Sequence, residues 1–187
     1  MVKSTLTLFY AGLCCVLMVG CNFVVKDRDL VDASYVAADV LVGNIKDIRM
    51  LGNVRQNDFY PTKPILIASF VNIDNVQQSS TFGRMVAEQI GSRIAQHGYK
   101  VIEMKLRTNS VFIQTQNGEF LLSRELHKIS HQHDAYAVVV GTYGASKEIV
   151  YVTAKLIRVK DSVILSSYDY SLPVGEDTKR LLRKGRR

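Results

Sequence analysis

The side chains that could carry chemistry in this 187-residue chain are few and poorly spaced for it. The four histidines are His97, His127, His131 and His133. His127 and His131 stand four apart, a spacing that on a helix turns two imidazoles to one face, as in a zinc site. Between them lie Lys128, Ile129 and Ser130, so the glutamate base of a zinc hydrolase is missing and Lys128 would repel a cation. A solvated helix face reads better, with imidazoles near the negative end of the helix dipole. Glu125 beside them reads as a surface charge. Ser69, Ser79, Ser80 and Ser123 all lack the Gly-x-Ser-x-Gly elbow that exposes a nucleophile. Gly141-Thr142-Tyr143-Gly144 lacks the glycine spacing of a dinucleotide loop and precedes a strand rather than a helix, so Gly144 reads as a hairpin turn. Asp74 lies just past the carboxyl end of a predicted strand, where open sheets take ligands. As a lone acid it reads better as a turn former. With Arg84 it is the one candidate ligand or partner contact. No catalytic group, metal site or cofactor is expected.

The cysteines point elsewhere. Leu6 to Val19 is an apolar run behind a single positive residue, Lys3, and it ends at Gly20-Cys21. A spanning helix needs about 20 apolar residues, and this run stops short of one at Asn22. It reads as a signal peptide with a positive n-region and an apolar h-region, residues 1–20. Leu17-Met18-Val19-Gly20-Cys21 resembles the lipobox of bacterial lipoproteins, in which a small residue precedes a cysteine that is acylated and becomes the new N-terminus. Met18 departs from the usual leucine. The alternatives are a plain cleaved signal and an uncleaved anchor. Asn22 is not the aspartate that favours inner-membrane retention, so the expected address is the outer membrane, periplasmic face. One acyl chain binds marginally and two or three bind durably. Cleavage would remove Cys14 and Cys15 and leave only the acylated cysteine, which excludes a disulfide framework.

The formal charge of +7 is concentrated at one end. The last nine residues hold Lys179, Arg180, Arg183, Lys184, Arg186 and Arg187 and no acid, and residues 4–178 are neutral overall. The tail has three readings: attraction to anionic headgroups or polysaccharide, docking on an acidic partner, or a solubilising end. The predicted export makes nucleic acid a poor partner.

The elements that must position these groups follow from periodicity. Residues 22–33 read as a tether, and Ser34 as the N-cap of a helix to Ile48 with Ala37, Val40, Leu41, Ile45 and Ile48 at helical spacing. Pro64 to Phe70 is a buried strand. Phe82 to His97 is a helix with Phe82, Met85, Val86, Gln89, Ile90 and Ile94 on one face and Gly98 at its C′ position. Tyr99 to Met104 is the next strand, and this strand–helix–strand order predicts a parallel crossover. Val111–Gln116 and Glu119–Leu122 flank Asn117-Gly118, a hairpin signal. A helix from Arg124 to His133 follows, capped by Ser123, then the most apolar strand, Ala135–Tyr143. Glu148–Arg158 and Ser162–Leu172 alternate as an antiparallel hairpin. The class is α/β: a single domain over 34–173 with a mixed sheet, packed helices and a C-terminal antiparallel meander, then a basic tail over 174–187.

Five segments together resemble the FlgO family. They are Lys63–Asp74, Gly83-Arg84 with Glu88-Gln89, Gly118–Leu126, Asp134–Tyr143 and Val163–Ser167, in that order, and the resemblance runs from about Ser34 to Pro173. It implies a non-enzymatic outer-membrane lipoprotein needed for normal flagellar motility. It also implies an accessory place in the basal body, a partner lipoprotein of the FlgP type, a homo-oligomer, and a sheet similar to the periplasmic domain of curli secretion channels. The two membrane hairpins of those channels are absent, and Glu148–Leu172 reads as the sheet's edge. The alternative is a periplasmic ligand-binding or secretion-channel-like module with its contacts near Asp74 and Arg84.

Overall fold

The apolar run at residue 65 and the longer one at residue 137 pair side by side, and the rest of the sheet is built outward from them. The computed structural model describes residues 27–50, 63–75, 80–104, 112–114, 120–122 and 124–183. In chain order the elements are α1 (Leu30–Met50), β1 (Ile65–Ala68), β2 (Val71–Asn72), α2 (Thr81–Gln96), β3 (Val101–Met104), β4 (Phe112–Gln114), β5 (Phe120–Leu122), α3 (Arg124–Gln132), β6 (Ala137–Ala145), β7 (Ile149–Arg158), β8 (Ile164–Pro173) and α4 (Glu176–Leu182).

The main sheet runs β3-β1-β6-β7-β8, and β2 also pairs with β6. β1 is parallel to β3, with Ile65 opposite Val101, and parallel to β6, with Ile65 opposite Ala137. The tight strand–helix–strand unit therefore closes in parallel, as its spacing predicts. β6, β7 and β8 continue as an antiparallel meander, with β8 as the predicted edge. The Arg158–Asp161 ion pair at 2.8 Å closes the turn between the last two strands. β4 and β5 form a separate antiparallel pair, Phe112 opposite Leu122; the Asn117-Gly118 turn lies outside the described residues.

Burial explains the layers. β1 and most of β6 are covered on both faces, as a near-continuous apolar run requires. One face carries α1 and α2 through Ala37, Leu41, Phe82, Val86, Ile90 and Ile94, packed on Ile65, Ile67, Val139, Val152 and Leu156. Leu126 of α3 packs on the other face with Leu66, Val138 and Val140. Ser80 caps α2, its hydroxyl accepting from the Gly83 N–H at 3.2 Å, and Gly98 takes φ +86° just past the helix, as its C′ assignment requires.

Two expectations change. α1 starts four residues before the helix predicted from Ser34. The Asp29 carboxylate is its cap, accepting from the N–H groups of Val31 at 2.8 Å and Asp32 at 3.3 Å, and Ser34 is buried within the helix instead. Gly144 does not make the hairpin turn. It is a residue of β6 opposite Tyr151, and the chain turns through 146–148. Ile73 rests where a Cβ at Gly144 would point.

Candidate functional site

In open α/β sheets the ligand crevice lies beyond the carboxyl ends of the parallel strands. Here that place is filled from within. β1 breaks after Ala68, steps out through Ser69 and Phe70, and rejoins β6 as β2, where Val71 pairs with Thr142. At the step the Phe70 N–H donates to the Gly83 carbonyl at 3.2 Å. Phe70 is fully buried. Its ring occupies the space a Cβ on Gly141 would need, and its carbonyl oxygen the space of one on Gly83. Both glycines are therefore close-approach positions. Phe82 meets Tyr143 edge to face, centroids 5.3 Å apart at 68°. Burial pushes the Tyr143 hydroxyl up, partly offset by hydrogen bonds with Ser80. An aromatic plug thus closes the crevice.

Asp74 sits on the rim of this plug, in a turn where its N–H donates to Asn72 Oδ1 at 2.8 Å. Arg84, on the first turn of α2, is exposed and donates to Thr81 Oγ1 at 3.0 Å. Among the described residues no ion pair joins Asp74 to Arg84. Gly20 and Cys21, the lipidation and cleavage positions, lie outside the described residues. His131 and His133 are exposed, and among the described residues no group of three His, Cys, Asp or Glu side chains could hold a metal ion.

Two carboxylates that the sequence left unmarked each gather three polar contacts. Asp39 of α1 accepts from two of the three guanidinium nitrogens of Arg93, Nε at 2.7 Å and Nη2 at 3.0 Å, and lies 2.6 Å from His97 Nε2. The Arg93 hydrogen bonds, with help from His97 and against burial, hold its carboxyl down to about 2. Tyr35 lies under the guanidinium at 5.4 Å. This set ties α1 to α2. The helical spacing of Arg93 and His97 was a signal for it, but nothing in the chain pointed to Asp39 as their partner.

Asp27 is the second. Its carboxylate accepts from the N–H groups of Asp177 at 3.0 Å and Thr178 at 3.2 Å, and from the Thr178 hydroxyl at 2.6 Å. Burial opposes ionisation, but the Thr178 side chain and the backbone donors of 175, 177 and 178 outweigh it and lower the carboxyl. Gly175 leaves room for this carboxylate where any Cβ would meet it. The residue that opens the described chain therefore caps its last helix. α4 has the matching polarity, Glu176 and Asp177 in the first turn and Lys179 and Arg180 in the last.

Comparison with known proteins gives a family and a set of distant folds. The family described as FlgO protein matches residues 35–177, and the chain belongs to that family. No curated protein sequence matches it significantly. Among solved structures, the LpoB C-terminal domain from Salmonella enterica is similar at a TM-score of 0.45 and 11% identity, over 74% of this chain and 96% of that one. A PelC dodecamer from Paraburkholderia phytofirmans gives 0.44 and 13% over 63% and 76%. Lipoprotein GNA1162 from Neisseria meningitidis gives 0.40 and 18% over 61% and 82%.

Proposed function

From its membership of the FlgO family, we propose that this chain is a non-enzymatic outer-membrane lipoprotein that supports flagellar assembly, stability or motility as an accessory component of the basal body. The family match over residues 35–177 carries the flagellar part of the reading. The geometry supports the non-enzymatic part: Phe70, Phe82 and Tyr143 occupy the crevice in which a sheet of this type would hold a substrate.

The anchor is the acylated Cys21, left as the mature N-terminus after cleavage behind Gly20, and it faces the periplasm. The chain partners a lipoprotein of the FlgP type and associates with its own copies. Two surfaces suit such contacts. β8 is a ten-residue strand at the end of the sheet, and a long edge is a template for pairing with another chain. Ile73 and Tyr151 flank the side-chain-free Gly144 on one face and are 45% and 59% exposed.

The experiment is deletion of the gene followed by complementation, scored by swimming speed and by counting flagella. Wild type restores both, and Cys21→Ala, which cannot be acylated, does not. Normal swimming and flagellation in the deletion strain would overturn the reading.

A further inference from the structure

Asp27 fixes more than a helix cap. It holds the start of the described chain on residues 175–178, about 150 positions later. The expected lipid attachment, Cys21, lies six residues before it, and six residues span at most about 20 Å even when fully extended. Whatever membrane holds Cys21 is therefore within that reach of the first turn of α4.

α4 turns Leu181 and Leu182 toward the core and leaves Lys179 and Arg180 exposed, with Arg183 exposed at its end. Arg28, beside the clamp, is exposed too. Lys184, Arg186 and Arg187 follow in sequence, and with Glu176 and Asp177 counted, residues 176–187 still carry a net charge of +4. Asp27 and Asp29 keep their negative charges while they accept from neutral donors, and with Asp27, Arg28 and Asp29 counted the sum falls from +4 to +3. Basic side chains within a Debye length of an anionic surface are attracted to it, and that length is about 8–10 Å in physiological salt. The clamp ties α4 to the end of the described chain from which the tether leaves.

We propose that the Asp27 clamp holds the basic C-terminal helix and tail against the anionic phospholipid headgroups of the membrane in which the chain is anchored, giving it two points of attachment, acyl and electrostatic. The inference deepens the lipoprotein reading and rests on acylation of Cys21. It commits the basic tail to lipid rather than to an acidic protein.

The test uses the full acylated chain purified from membranes and mixed with two kinds of vesicle, phosphatidylcholine alone or phosphatidylcholine with phosphatidylglycerol. Flotation reports the anchor, and the rate of tryptic cleavage after Lys179, Arg180 and Arg183 reports the tail. The expected result is flotation with both vesicles, but cleavage slower by roughly tenfold on the anionic ones, with high salt removing the difference, since each basic residue at the surface contributes severalfold. Asp27→Asn and, separately, Gly175→Ala, whose new methyl displaces the Asp27 carboxylate, should float normally and lose the protection. Exposed substitutions Lys179→Gln, Arg180→Gln and Arg183→Gln, made one at a time, give the same trend without touching the fold, each read at the remaining sites. Equal cleavage on both vesicles with normal flotation overturns the proposal and leaves the anchor intact. Protection that appears only after an acidic protein is added overturns it in favour of a protein partner. Failure to float with neutral vesicles overturns the anchor and this inference together.

Discussion

The end of the sheet at which β1 and β6 finish and the corner where α4 begins are built on opposite principles. At the first, one aromatic residue is pressed onto two glycines, the Phe70 ring on Gly141 and its carbonyl oxygen on Gly83, and polar groups are few and internal, with Tyr143 held by Ser80. At the second, one carboxylate on a single glycine gathers backbone and hydroxyl donors, and exposed cations stand near it in sequence, Arg28 on one side of the clamp and Lys179 and Arg180 on the other. The plug fills the place where open α/β sheets hold ligands. The charged corner holds the start of the described chain beside the basic helix α4.

The largest effect should come from the plug. Phe70→Ala removes a fully buried ring and should lower the unfolding free energy by about 3–5 kcal/mol in denaturant melts. Gly141→Ala, which forces a methyl into that ring, should cost about 1–3 kcal/mol. Combined with Phe70→Ala, the same methyl fills the space the ring vacated, so the double-mutant cycle should show strong coupling. Additive losses would mean that the ring and the glycine do not form one unit.

At the corner, Asp27→Ala should cost about 1 kcal/mol, the usual loss for a helix cap, and it should reach α4 first, as faster amide exchange over 177–182. Asp39 gives a pH test of the α1–α2 tie. Its carboxyl is depressed to about 2 from an ordinary 3.8, first by Arg93. The stability it contributes is therefore present above pH 4 and lost as pH falls through 2. With its side chain 40% exposed, solvent screening leaves about 1 kcal/mol, and Asp39→Asn should remove that part of the difference between pH 5 and pH 2.5. Asp74→Ala and Arg84→Ala should change stability by less than about 0.5 kcal/mol. A larger loss at either would show the rim of the plug to be coupled to its centre.

Much of the architecture was readable in advance because it is local. The limits of α2 follow from its apolar period and from Gly98, β6 from an unbroken apolar run, and the β7–β8 hairpin from alternation. The sequence puts the start of α1 at Ser34 because Asp29 stands in a polar stretch that looks like tether, and only the packing of Ala33, Ala37, Ala38 and Leu41 on the sheet shows why the helix extends back to it. The site was harder to see. A glycine in a helix and another in a strand are visible, but the residue that explains both is Phe70, its carbonyl oxygen against Gly83 and its ring against Gly141, and 70 is far from 141 in sequence. The Asp27–Thr178 and Asp39–Arg93 pairs are likewise separated by 151 and 54 residues, and no periodic signal records a contact of that range.

The most direct test of the account is to purify flagellar basal bodies from wild-type cells and probe them for this chain. The account predicts that the chain copurifies with the outer-membrane portion of the basal body, and that Cys21→Ala, though folded, is missing from it. Basal bodies that carry their outer-membrane rings but none of this chain would contradict the claim that it is a component of the flagellar apparatus.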